Sequence, residues 1–262
     1  MPQSAVYPRN GDPLSLGELR KLMGDGVLQR FLRYSAVRDT RWHYDDFAGD
    51  TINLDNYAVA NGGGAAAASF ATVVLENGAI RGTTGTAGDA TASASLIMPL
   101  NWYGDRNCGM EVRFKLDVVT SVLFEVGFID AVPGSNGSGV NDIDTPTFNA
   151  ADSALLHLHT GQTLATMAFA TNGSTAGQPD LATTLVQTTL PTAATWHRVR
   201  IQLEGNNAYC WLDGRLEASH DTDADGHVEG GVALAPWLYV RALNGTGKLM
   251  DIDYLSIWGD RN

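Results

Sequence analysis

An all-β sandwich is the fold class the sequence predicts, and three observations predict it. Apolar and charged residues alternate with period two, β-branched and aromatic residues gather in short runs, and Gly, Asn and Asp separate those runs. The clearest run is "MEVRFKLDV", in which Met110, Val112, Phe114, Leu116 and Val118 alternate with Glu111, Arg113, Lys115 and Asp117. This spacing turns one face of a strand to a core and the other to water. "RVRIQLE" repeats it, with Val199, Ile201 and Leu203 set against Arg198, Arg200, Gln202 and Glu204. A turn at "GNN" leads into "AYCWL", Asp213-Gly214 predicts a tight hairpin turn, and "RLEAS" follows. Asn-Gly pairs at 61–62, 77–78, 136–137, 172–173 and 244–245 mark further turns. Many short strands without intervening helices make residues 45–262 a β-sandwich or jelly roll.

Residues 1–44 read as a separate N-terminal arm. "SLGE" (Ser15 to Glu18) has the form of a capping box, and Leu16, Leu19, Leu22 and Met23 form an apolar stripe at helical spacing. Charge divides at the same place. The arm holds seven Arg or Lys and four acids, a net of +3, whereas the rest of the chain carries −15 of the total −12. An acidic body is repelled by nucleic acid and by anionic lipid, so neither is an expected partner. A basic arm on an acidic body suits a second copy of the chain, which makes a homo-oligomer the expectation.

A chain of 262 residues buries enough surface to fold without a disulfide or metal. Cys108 and Cys210 each sit in an apolar strand-like run and read as small buried hydrophobes. The first residues, "MPQSAVYPRNGD", lack the basic start and apolar run of an export signal. No stretch approaches the ~18 apolar residues of a membrane helix. Folding in a cytoplasm is therefore expected.

Several stretches invite a chemical reading. "HDTDADGHVEGG" places Asp221, Asp223 and Asp225 at positions one, three and five of a calcium loop, with Gly226 at the bend. Position twelve, where a bidentate Glu belongs, is Val232, so a solvated acidic turn is preferred and calcium is the alternative; no other cofactor is expected. His157 and His159 share one face of a strand, but neither Cys nor a third His stands at ligand spacing, so they read as ordinary strand histidines. Residues 82–95 have G-x-x-G-x-x-G spacing without a strand–glycine–helix context and read as loop. Residues 132–152, rich in Gly, Pro and Asn, form a long loop of the kind that is functional or flexible.

The order of pieces also resembles a known family. "YDDF", then "SLIMPLNWYG" before "GMEVRFKLDV", then "TWHRVRIQLEGNNAYCWLDGRLEASH" and a closing "LMDIDYLSIWG" are similar to the concanavalin A-like lectin/glucanase superfamily, including laminin-G-like modules. The resemblance covers residues 45–262 and implies a concanavalin A-like jelly roll. It implies that enzymes of this superfamily hold their carboxylates as E-x-D-x-E along one strand, where alternate residues share a face. The best matching strand is "VLFEVGFIDA", in which Glu125 is followed on its face by Gly127 and Ile129 rather than by acids. Asp251 and Asp253 in "MDIDYL" are followed by Leu255, again without a third acid. No enzymatic activity is therefore expected. Sandwiches of this kind behind a short arm resemble decoration proteins of tailed bacteriophages. That resemblance implies a structural virion protein, assembled in the host cytoplasm and docking to capsid or other virion proteins through Leu16, Leu19, Met23 and Phe31 of the arm. The competing expectation is that the arm packs on its own sandwich. The alternative function is a lectin-like or receptor-binding module whose Trp102, Tyr103 and Trp237 stack on sugar rings, joined by Tyr239 if it is exposed despite its apolar run. A glycan hydrolase stands last.

Overall fold

The computed structural model of the protein describes residues 40–62, 68–73, 78–85, 92–131, 137–142, 147–161, 167–173, 185–188, 190–205, 207–220, 228–244 and 247–261. The anticipated arm helix, with Leu16, Leu19, Met23 and Phe31, lies outside these residues, as do Asp221, Asp223 and Asp225. Trp42–Asp260 forms one compact unit. Among the described residues every regular element is a strand, apart from one 3-10 turn at Gly104–Arg106.

In chain order the strands are β1 (Thr40–Asp45), β2 (Ala58–Gly62), β3 (Ser69–Thr72), β4 (Ile80–Thr83), β5 (Ser93–Ile97) and β6 (Trp102–Tyr103). The middle of the chain gives β7 (Gly109–Leu116), β8 (Val122–Ile129), β9 (Val140–Asp142), β10 (Thr147–Phe148), β11 (Ser153–His159) and β12 (Ala168–Asn172). The last six are β13 (Leu185–Gln187), β14 (His197–Glu204), β15 (Asn207–Leu212), β16 (Arg215–His220), β17 (Ala233–Ala242) and β18 (Leu249–Asp260). Sixteen of them build two eight-stranded sheets, and β9 and β10 pair separately. The first runs β16-β15-β14-β7-β18-β4-β3, with β1 also on β18; the second runs β13-β12-β11-β8-β17-β5-β2, with β6 on β17. All registered pairs are antiparallel, and chain neighbours such as β7 and β8 lie in different sheets, as a jelly roll requires.

Period-two patterning explains the core. Met110, Val112, Phe114 and Leu116 of β7 are buried, as are Val199, Ile201 and Leu203 of β14. They meet Val122, Phe124, Val126 and Phe128 from β8, and the Phe114 and Phe124 rings stack at 4.8 Å between the sheets. The Asp213-Gly214 hairpin joins β15 to β16 with both residues at positive φ, 52° and 85°, the conformation of a two-residue turn. Cys108 and Cys210 are free and buried, and burial pushes both thiols up. The 82–95 stretch is not loop throughout, since Ser93, Ala94 and Ser95 open β5. Asn61-Gly62 ends β2 in register with Ala94 and Ser93 instead of making a turn. In both places the ladder of backbone hydrogen bonds outweighs weak local propensity.

The outer row of the first sheet is tied by a cross-strand cluster. Arg81 on β4, Asp251 on β18 and Lys115 on β7 stand in register. Arg81 donates twice to the Asp251 carboxylate, at 2.6 and 3.0 Å, and Lys115 lies 2.9 Å from it. Burial works against the Asp251 charge, but the hydrogen bonds from Arg81 and Lys115 prevail and hold its pKa below the usual aspartate value.

Two outcomes test this architecture. Gly127 on β8 has φ +152°, and a Cβ there would stand 2.0 Å from the Ala154 carbonyl oxygen of β11. Gly127→Ala is expected to lower stability by about 2–3 kcal/mol in urea unfolding, because backbone rather than a mobile side chain must give way. Asp251 favours the fold above its unfolded pKa, and that contribution fades as pH falls from the ordinary 3.8 through the lower folded value. Asp251→Asn is expected to cost about 1–3 kcal/mol at neutral pH and to flatten the acid limb of a melting-temperature profile.

Candidate functional site

The outer face of the second sheet carries the most concentrated set of chemical groups. β8 is buried on both faces, every residue from Val122 to Ile129 included, with Glu125 its one charged residue. Its inward residues enter the main core, and its outward residues Leu123, Glu125, Gly127 and Ile129 face a second, smaller one. Register then fixes two adjoining rows. Tyr239 on β17, Glu125 on β8 and His157 on β11 lie side by side, and next to them stand Arg241, Leu123 and His159. Ser95 and Ser93 of β5 continue the rows beside Tyr239 and Arg241.

Glu125 is 0% exposed and its carboxyl group accepts four hydrogen bonds. The Gly139 amide and the Trp237 indole N–H donate to Oε2 at 2.7 and 2.9 Å. The Val140 amide and His157 Nδ1 donate to Oε1, each at 2.9 Å. With Nδ1 donating to the carboxylate, the buried Nε2 on the other side of the ring has no hydrogen-bond partner among the described residues. Trp237 stacks on Tyr239 at 5.5 Å and 15°. Burial pushes the Tyr239 hydroxyl up to about 12, while Ser93 and Arg241 pull the other way.

The donors at Gly139 and Val140 come from the segment read from sequence as a long loop. Its described part is a strap. β9 pairs with β10, the Asn149 amide donates to the Gly139 carbonyl at 2.8 Å, and Asn172 of β12 donates to the Ala150 and Ala151 carbonyls. Val140, Phe148 and Ala150 pack on Ile129, Leu155 and Trp237, so one half of the sheet face is covered. Solvent reaches the other half at Arg241 and His159, both partly exposed. The His157 and His159 rings stand 6.1 Å apart, and among the described residues no group of three or more ligating side chains surrounds them or any other point.

The sugar-stacking residues anticipated from sequence fall elsewhere. Trp102 and Trp237 are buried, at 3% and 1% exposure, and present no ring to solvent because each fills a sheet face. Tyr103 is half-buried with the Arg106 guanidinium 4.9 Å above its ring. Asp251 and Asp253 belong to the opposite sheet, where a bulge in β18 separates them and Asp253 pairs with Arg113 at 2.6 Å. Tyr239, also named from sequence as a stacking aromatic, is 2% exposed, and Arg241 and the pairing of Glu125 with His157 were not singled out by motif. The near-continuous apolar run around Glu125 is the signal that its outward face is buried too.

No family model matches the sequence, and no curated protein matches it. Solved structures do. A glycosyl hydrolase family protein from Mycobacterium fortuitum is 14% identical, with a TM-score of 0.55 over 82% of this chain and 98% of its own. A beta-1,3-glucanase from Mycobacterium marinum is 13% identical, with a TM-score of 0.55 over 82% of this chain and 97% of its own. The carbohydrate recognition domain of Emp47p is 12% identical, with a TM-score of 0.54 over 85% and 97%. These neighbours are concanavalin A-like lectin/glucanase jelly rolls, and this chain has that fold. The inference from the missing carboxylate row to a non-enzymatic protein is corrected by the same likenesses. Two of these neighbours are named as a hydrolase and a glucanase and one as a carbohydrate recognition domain, so enzymes as well as lectins use this fold, and the missing carboxylate row alone does not exclude activity. The bacteriophage and capsid expectation finds no support among them.

The Glu125 cluster makes a direct prediction. Glu125→Gln keeps the size of the side chain but turns an amide N–H₂ toward two N–H donors. A loss of about 3 kcal/mol in stability is expected, with faster amide exchange at Gly139 and Val140. A loss under about 1 kcal/mol with unchanged exchange removes Glu125 as the anchor of the strap.

Proposed function

We propose that the protein binds a carbohydrate on the outer face of the second sheet, at the end where Arg241, His159 and Tyr239 converge. The observation that carries the reading is the in-register block of Tyr239, Glu125 and His157 beside Arg241 and His159, with Ser93 and Ser95 at its edge. Hydroxyl-rich ligands are held by a few fixed donors and acceptors over an apolar floor, and this face offers both. The shared fold with a carbohydrate recognition domain and a glucanase supports the same reading. No observation on the described residues favours capsid decoration over it.

The test is a panel of soluble polysaccharides and oligosaccharides, read for binding and for release of reducing ends. Binding is expected, and Arg241→Ala is expected to weaken it roughly 10- to 100-fold, since a hydrogen bond to a charged group contributes about 1.5–3 kcal/mol. Release of reducing ends that disappears in Arg241→Ala or His159→Ala, with the melting temperature unchanged, assigns hydrolysis to the same face. Absence of binding across the panel, or binding indifferent to Arg241→Ala and His159→Ala, overturns the proposal.

A further inference from the structure

The outer face of the first sheet holds an aromatic and cationic array that the site above does not use. Register puts Leu216, Trp211, Arg200, Glu111 and Ser256 in one row across β16, β15, β14, β7 and β18. Ser256 Oγ accepts a hydrogen bond from the Trp42 indole at 3.1 Å, which carries the row onto β1, a sixth strand. At about 4.8 Å per strand the row is roughly 24 Å long. Leu216 and Trp42 at its two ends are each 50% exposed. Beside it, Arg198, Arg113 and Tyr254 form a parallel row. Tyr44 stacks on Tyr254 at 6.0 Å and on Trp42 at 5.8 Å, and Tyr44 is itself 47% exposed.

Cations are threaded between the rings. The Arg200 guanidinium lies 4.9 Å from the Trp211 ring and 5.2 Å from the Trp258 ring. Trp196 carries Arg113 at 4.9 Å and Lys115 at 4.8 Å. Four of the six tryptophans therefore belong to this face, and the other two are the buried Trp102 and Trp237. Contiguous aromatic surface on a water-facing sheet marks an interaction site. Indole and phenol rings offer apolar faces to the C–H face of a sugar, and Arg200, laid on its indoles while donating to Gln202 Oε1 at 3.0 Å, brings a positive charge beside them for a carboxylate or sulfate. Arg81, Arg113, Lys115, Arg198 and Arg200 stand here against Glu111, Glu204, Asp251 and Asp253. In a body that carries −15, this balance of five cations to four acids lowers the repulsion an anionic chain meets on this face.

We propose that this face is a second carbohydrate surface, which takes an extended acidic polysaccharide lying across the strands. Its length selects a polymer, its rings stack on the sugars, and Arg198 and Arg200 meet the acid groups. It shares no residue with the Arg241–His159 site, so the two readings fail separately. The test is affinity electrophoresis in gels containing alginate, polygalacturonate or chondroitin sulfate, with neutral dextran alongside. The full chain is expected to be retarded by an acidic polymer, less so at higher salt, and not by dextran. The double variants Trp42→Ala/Tyr44→Ala and Arg198→Ala/Arg200→Ala are each expected to weaken retardation at least tenfold. Melting temperatures and the conservative pair Trp42→Phe/Tyr44→Phe, expected to retain binding, separate lost rings from lost fold. No retardation by any acidic polymer, equal retardation by dextran, or retardation that survives both double variants overturns the proposal.

Discussion

One buried carboxyl group organises the outer half of the second sheet. Glu125 sits on a central strand with no exposed surface, so every lone pair it directs outward must find a donor inside the protein. It finds them on three separate elements: an indole from β17, an imidazole from β11 and two successive amides from the strap. Strap, sheet and the Trp237–Tyr239 stack are thereby fixed relative to one another. The cost of burying the group is offset only while all of these contacts coexist, which couples the covering of the face to the identity of residue 125.

The two sheets solve the same problem in opposite ways. Their inner faces are equivalent, apolar and interlocked through rings such as Phe114 and Phe124. Their outer faces diverge. On β7 the outward residues are Glu111, Arg113 and Lys115, long side chains that reach neighbouring strands through ion pairs and ring contacts while keeping their charged ends wet. On β8 the outward residues are Leu123, Glu125, Gly127 and Ile129, which need a cover, and Val140, Phe148 and Ala150 supply part of it. The molecule therefore presents one covered face with a polar margin and one open face of rings and cations, two surfaces of different chemistry on a single sandwich.

That division changes how the fold relates to glycan chemistry. Where E-x-D-x-E would set three carboxylates in line, this strand keeps one, and Gly127 at the next position on that face has no room for a side chain against the Ala154 carbonyl. The space is occupied by backbone. Accessible polar groups lie one row away, at Arg241 and His159, so a ligand on this face meets the margin of the covered region rather than its centre.

The sequence by itself determined the fold class. Period-two alternation in β7 and β14 follows from the pleat of a strand, and the Asp213-Gly214 turn follows from its need for two residues at positive φ. Both are local rules, so local residues suffice to read them, and the burial of Cys108 and Cys210 follows from the same patterning. Partnership between strands is decided elsewhere. Glu125 and His157 are 32 residues apart in the chain, and Trp42 and Ser256 are 214 apart; only the order of strands in the sheets brings them together. The same order decided which tryptophans are covered. Trp237 and Trp258 each sit on an outward strand position, yet one lies at the edge of the strap and the other on an open sheet face. Tertiary structure alone set which outward face is covered, because that depends on where a distant segment settles and not on the spacing of the strand itself.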